Sequence, residues 1–75
     1  MKKVIVFFNT EPVTLDFIPA TVATVIREYP DGDQIYLSIM QARAPSITGD
    51  REEVWFAADR EVTSREIQDA MEKLY

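Results

Sequence analysis

A chain of 75 residues is the length of one domain, residues 1–75, and its 47% apolar content can build a core, though so short a chain buries proportionally little surface. Thirteen acidic residues against eight basic ones leave a net charge of −5, which disfavours binding to a phosphate backbone. With no Cys and no His, the chain has no disulfides, thiol nucleophiles, structural zinc sites or Ser-His-Asp triads, and two glycines cannot build a phosphate-cradling loop.

Lys3–Phe8 is a continuous apolar run of high β-propensity, the pattern of a strand buried on both faces. At an edge such a strand recruits another chain, and a symmetric dimer is one way to cover it. Met1-Lys2-Lys3 followed by this run has the outline of a signal peptide. The run is too short, and Asn9, Glu11 and Asp16 break the apolar character beyond it, so the expected location is cytoplasmic, in a host cytoplasm if the source is viral. No apolar run reaches membrane-span length, so no membrane role is expected. Asn9–Pro12 reads as a turn, and Val13, Leu15 and Phe17 alternate along a second strand that closes a hairpin with the first.

Ile18–Tyr29 is ambiguous by periodicity. Ile18, Val22, Val25, Ile26 and Tyr29 fall at helical spacing, yet Thr21, Val22, Thr24, Val25 and Ile26 are all β-branched, which weighs towards a strand. Tyr29-Pro30-Asp31-Gly32-Asp33 has the chemistry of a tight reversal. Pro30 presets φ for the first corner, Asp31 suits the second, and Gly32 takes the left-handed conformation that closes a three-residue hairpin with a bulge. Gln34–Ala42 alternates, with Ile35, Leu37 and Ile39 on one face and Tyr36, Ser38 and Met40 on the other. Ala44–Asp50 reads as a loop and Glu53–Ala57 as a strand carrying the sole tryptophan, Trp55. Because strand neighbours alternate, Trp55 and Phe56 face opposite ways, and the expected cover for one of them is the C-terminal helix. That helix starts at Thr63 as N-cap, with Glu66 completing a capping box and Val62 stapled to Ile67. Its apolar face is Ile67, Ala70, Met71 and Leu74.

The expected fold is therefore α+β: a small bent antiparallel sheet or barrel of about five strands with one C-terminal helix. The alternative places a helix over Ile18–Tyr29. The expected core is Val4, Val6, Phe8, Leu15, Phe17, Val22, Ile26, Ile35, Leu37, Ile39, Val54, Phe56, Ile67, Met71 and Leu74.

Pro19-Ala20-Thr21-Val22, Val25-Ile26, Asp31-Gly32, the alternating Ile35, Leu37 and Ile39, and Val54-Trp55-Phe56 together resemble small phage-encoded Src-homology-three-like (SH3-like) barrel proteins. The likeness covers residues 19–56 and departs from the pattern in having no Gly-Thr before Trp55, no His after it, and an added helix. It implies a compact barrel and a viral or mobile-element origin, and brings no catalytic residues.

For function, no catalytic residues, cofactor or metal are expected. Asp31 and Asp33 are best read as turn chemistry, and Asp50, Glu52 and Glu53 as a solvated loop and strand start rather than a cation site. The expected role is a non-enzymatic protein-binding module, a small inhibitor or adaptor of a host protein. Its contact residues are drawn from Tyr29, Asp31, Asp33, Tyr36, Met40, Glu52, Glu53 and Trp55, because Trp and Tyr dominate interface hot spots. Two alternatives are a self-associating virion or assembly component, with a homodimer as its simplest form, and a nucleic-acid-binding small barrel.

Overall fold

The computed structural model describes residues 1–10, 12–45 and 51–74. Five strands, β1 (Lys2–Phe7), β2 (Thr14–Ile18), β3 (Thr24–Glu28), β4 (Gln34–Pro45) and β5 (Arg51–Ala58), precede a single helix, α1 (Ser64–Leu74). The strands form one curled sheet in the order β2-β1-β5-β4-β3.

The expected antiparallel sheet needs correction at one pairing. β1 and β2 form the hairpin read from Asn9–Pro12, and β3–β4 and β4–β5 are antiparallel as well. β1, however, runs parallel to β5, with Val4 opposite Trp55 and Ile5 opposite Phe56, so the sheet is mixed. Local sequence carries no sign of this pair, because its partners are some fifty residues apart. The doubly apolar run is central, as its pattern indicates: Val4, Ile5, Val6 and Phe7 are buried on both faces.

The reversal after β3 has the expected form. Gly32 N–H donates to Tyr29 O at 2.9 Å, Tyr29 N–H donates to Asp33 O at 2.7 Å, and Gly32 takes φ +95°. The preceding segment is not helical. Pro19–Val22 closes a turn, with Val22 N–H on Pro19 O at 3.0 Å, and β3 follows. Ala44 and Pro45, expected in a loop at Ala44–Asp50, belong to β4; residues 46–50 lie outside the described residues.

Alternation divides the sheet into two faces. The inner, concave face carries Val4, Val6, Phe8, Val25, Leu37 and Ala57, with Ile18, Tyr29, Ile35, Ile39 and Trp55 packed against them. The outer face carries Ile5, Phe7 and Val54, and α1 lays Ile67, Ala70 and Met71 over them with Phe56, Leu15 and Val62 around the rim. Curling brings the two outermost strands together: Arg27 of β3 pairs with Asp16 of β2 across the mouth of the half-barrel.

Three expected core residues are exposed instead: Phe17, Val22 and Ile26. In the β3–β4 register Val25 stands opposite Leu37 and Arg27 opposite Ile35, so Val25 shares the inner face and Ile26 is turned outward. Phe17, opposite Lys3, lies on the outer face at the margin of the sheet.

Candidate functional site

The feature of the surface that calls for an explanation is the outer face of β3 and β4. Directly cross-strand from one another, Ile26 and Tyr36 are 55% and 66% exposed, and Met40, four residues along β4, is 42% exposed. Their strands are built by β-branched and aromatic residues whose inward partners, Val25, Leu37 and Ile39, hold the hairpin to the core. Between the Ile26–Tyr36 pair and Met40 sit two small polar side chains, Thr24 and Ser38, also cross-strand and exposed. α1 covers another part of the same face, packing on Ile5, Phe7, Val54 and Ala42, with its backbone closest to β4. The result is an apolar strip beside the helix.

The turn end of this strip is acidic. Glu28 shares its face on β3, while Asp31 and Asp33 sit exposed in the turn at its end. By helical geometry, with about 100° between successive residues, Ser64 and Gln68 form the flank of α1 on this side, because Glu66, Asp69 and Lys73 line the opposite flank against Phe7 and Val13, while Arg65 and Glu72, about 20° apart, both point away from the sheet. Three basic side chains are engaged elsewhere. Arg27 points inward to Asp16, Arg60 pairs with Glu66 at 3.2 Å, and Lys2 lies 4.6 Å above the Trp55 ring.

The eight residues expected to form one contact surface are thus split. Tyr36 and Met40 belong to the strip, and Asp31 and Asp33 to its end. Tyr29 and Trp55 face inward and are half-buried. The Tyr29 ring packs on Phe8 with centroids 4.9 Å apart, and its hydroxyl donates to Asp59 Oδ2 at 3.2 Å. Burial and the Asp59 carboxylate raise its pKa above the ordinary tyrosine value. Asp31 Oδ1 accepts from Asp33 N–H at 3.0 Å, the turn chemistry its position suggests. Glu52 and Glu53 stand on β5 opposite Ala44 and Arg43; their side chains, and Asp50, lie outside the described residues. Ile26 was missed as a surface residue, and the signal that finds it is the register with Leu37 rather than its own hydrophobicity.

A cleft of about 400 Å³ opens on the other flank of α1, floored by Phe7, Val13, Ala70 and Leu74. Its cations and carboxylates are mixed, and Arg60 is already engaged by Glu66 and lies 5.8 Å over the Phe7 ring. Among the described residues, no group of three or more acidic side chains is placed to hold a metal ion. No helix among them is long and apolar enough to cross a membrane.

Residues 26–74, from within β3 to the end of α1, match the profile of the YnfN protein family. The chain belongs to this family. It is 49% identical over 49 residues to "Uncharacterized protein YnfN" of Escherichia coli, a match covering 65% of this chain and 96% of that protein. No solved structure matches. The family shown is YnfN; the match does not bear on the likeness of residues 19–56 to SH3-like barrel proteins. The YnfN match takes in the whole apolar strip, with Ile26, Glu28, Tyr36 and Met40, and leaves β1 and β2 outside it.

Proposed function

We propose that this chain is a non-enzymatic protein-binding module whose contact face is the outer surface of the β3–β4 hairpin. The observation that carries the reading is the exposure of Ile26, Tyr36 and Met40 on one face of the β3–β4 hairpin, with Thr24 and Ser38 between them, backed from beneath by the inner core. Covering an exposed Ile or Met side chain is worth about 1.5–3 kcal/mol each, and a central tyrosine is a common energetic anchor of an interface. The rim of Glu28, Asp31 and Asp33 favours a basic partner surface. It weighs equally against a nucleic-acid ligand, as does the engagement of Arg27, Arg60 and Lys2 with groups of the chain itself. A role as inhibitor or adaptor, with a mobile-element origin, rests on the hairpin resemblance of residues 19–56 alone.

Capture from a lysate of the source organism, with a photo-crosslinking residue in place of Tyr36, tests the reading. A specific protein should be recovered, and it should be lost with Met40→Glu and kept with Arg65→Ala on the solvent side of α1. Recovery that is indifferent to Met40→Glu, in a variant shown to be folded, removes this face as the site.

A further inference from the structure

We infer that the open edge of β3 pairs with the same edge of a second copy of this chain, antiparallel about a two-fold axis at Ile26, so that two half-barrels join into one continuous sheet. The pairing goes beyond the contact face proposed above and does not depend on it, since Tyr36 and Met40 stand on β4 and stay uncovered.

The backbone supplies the first argument. β3 is the last strand of the sheet, with β4 on one side and, among the described residues, no strand paired on the other. Tyr29 N–H donates to Asp33 O at 2.7 Å and Ile39 N–H donates to Ala23 O at 2.9 Å, each between residues directly opposite in the β3–β4 register. In an antiparallel ladder such hydrogen-bonded pairs recur at every second residue, so Ala23, Val25, Arg27 and Tyr29 turn their N–H and C=O groups towards β4. Thr24, Ile26 and Glu28 turn theirs to the open side, and all three residues are exposed. Ile26 O accepts from Arg27 Nη1 at 3.1 Å and keeps a second lone pair. An extended chain is the occupant whose spacing matches this row of groups. Thr24–Glu28 contains neither Pro nor Lys, the residues that commonly guard an edge, and the charge of Arg27 is turned inward to Asp16.

The register is self-complementary, which selects a second copy. An axis at Ile26 sets Ile26 opposite its counterpart, Thr24 opposite Glu28 and Val25 opposite Arg27. All five residues of β3 are used, and no like charges stand opposite one another. Other axes shorten the ladder. At Arg27 or Glu28 the axis sets like charges face to face and draws in Pro30, which has no N–H to give. At Val25 or Thr24 it carries Glu28 past the start of the strand and into the Pro19–Val22 turn.

Side chains and charge agree with this axis. Ile26 already stands cross-strand from Tyr36 in its own chain, so the pair extends the row to Tyr36, Ile26, Ile26 and Tyr36 over four adjacent strands. Each Ile26, 55% exposed in the single chain, gains an apolar neighbour on its open flank. Each chain carries a charge of −5, but antiparallel pairing sends the two acidic turns to opposite ends. The two Glu28 residues lie about 14 Å apart along the ribbon, beyond a Debye length of about 8 Å at physiological ionic strength. A chain this short with no Cys also gains from association a support that its own length supplies poorly. The single chain keeps all its own hydrogen bonds, so the pair forms and parts without unfolding.

The test uses single cysteines in the full chain, which has none of its own. Opposite residues of a hydrogen-bonded pair are about 5.5 Å apart at Cα, within disulfide range. Under mild oxidation Ile26→Cys should crosslink to itself. Thr24→Cys and Glu28→Cys should each stay single alone and join one another when mixed. In the unaltered chain, amide exchange at Thr24, Ile26 and Glu28 should slow at least about tenfold between about 10 µM and 1 mM, while Val25 and Arg27 are protected at both concentrations. Ile26→Lys should keep the chain monomeric in sedimentation over the same range, with Val25 and Arg27 still protected to show the fold intact. A native chain that is monomeric at about 1 mM, crosslinking that ignores position, or a dimer unmoved by Ile26→Lys overturns the inference. So does protection of the three amides only by a foreign strand on a monomeric chain. Capture through position 36 reads the contact face separately, so failure of the pairing leaves that face standing.

Discussion

The Asp59 carboxylate, just past the end of β5, ties together three ends of the fold. Its Oδ2 accepts from Asn9 N–H at 2.9 Å in the β1–β2 turn and from the Tyr29 hydroxyl at the β3–β4 turn, while its own N–H donates to Phe7 O at 3.3 Å. Asn9 holds φ +53° there, a conformation Asn tolerates better than most residues. Tyr29 is thus a clamp rather than a contact residue, and its titration reports the clamp. Its pKa in the folded chain is raised above the value near 10.0 of the unfolded chain, so the stabilisation is fully present below pH 10 and is lost as pH rises through the folded value. Urea unfolding of the native chain and Tyr29→Phe from about pH 8 to pH 11 should show a stability gap in favour of the native chain that closes above about pH 10. A gap unchanged across that range would mean the hydroxyl makes no net contribution through Asp59. Trp55 and Phe56 show the same alternation at work. One lies inward beneath Lys2 and the other is covered on the helix side, so neither is the exposed anchor that composition suggests.

At the scale of elements, the β3–β4 turn and α1 are both specified locally. The turn places Gly32 at φ +95° with open space where a side chain would go, so its requirement is purely one of backbone conformation. Gly32→Ala should therefore cost about 1 kcal/mol or slightly more, measured by thermal or urea unfolding, with no change in the core. A cost near zero would show that the hairpin relaxes to another turn type. α1 begins with Glu66 N–H donating to Thr63 Oγ1 at 3.2 Å, half of the expected capping box. The other half is replaced: the Thr63 hydroxyl donates to Glu66 Oε1 at 3.4 Å, and Arg60 takes Oε2. Segment 18–29 resolves into a turn and a strand. Its helical spacing is a coincidence of β-branched residues, and pairing with β4 over Thr24–Glu28 supplies backbone partners that an isolated helix of this composition would not match.

For the molecule as a whole, the curl of the sheet decides which apolar residues are core. Arg27 meets Asp16 across the open side, so the concave face is enclosed and the convex face is left to a single helix. Val25 and Ile26 are adjacent and chemically alike, yet Val25 is buried in the inner cluster and Ile26 stands on the exposed strip. Val25→Ala should destabilise by about 2 kcal/mol, whereas Ile26→Ala should stay within about 0.5 kcal/mol. Denaturant midpoints of the two variants check this directly; a larger loss for Ile26→Ala than for Val25→Ala would place the strand in the other phase and dissolve the proposed contact face.

Composition and local pattern by themselves determine four of the strands, the closing helix, the Tyr29–Asp33 reversal and the doubly buried first strand, because each depends on neighbours within a few residues, while Ile18–Tyr29 stays open between strand and helix. They leave undecided every relation set at long range. The parallel seating of β1 on β5, the phase of β3 against Leu37, and the sharing of one sheet face between α1 and the Ile26–Tyr36–Met40 strip arise only once the chain has closed on itself. Side-chain direction in a strand reverses with each residue, so a shift of one position in a distant pairing exchanges core for surface, and nothing local to Ile26 records which way that pairing falls.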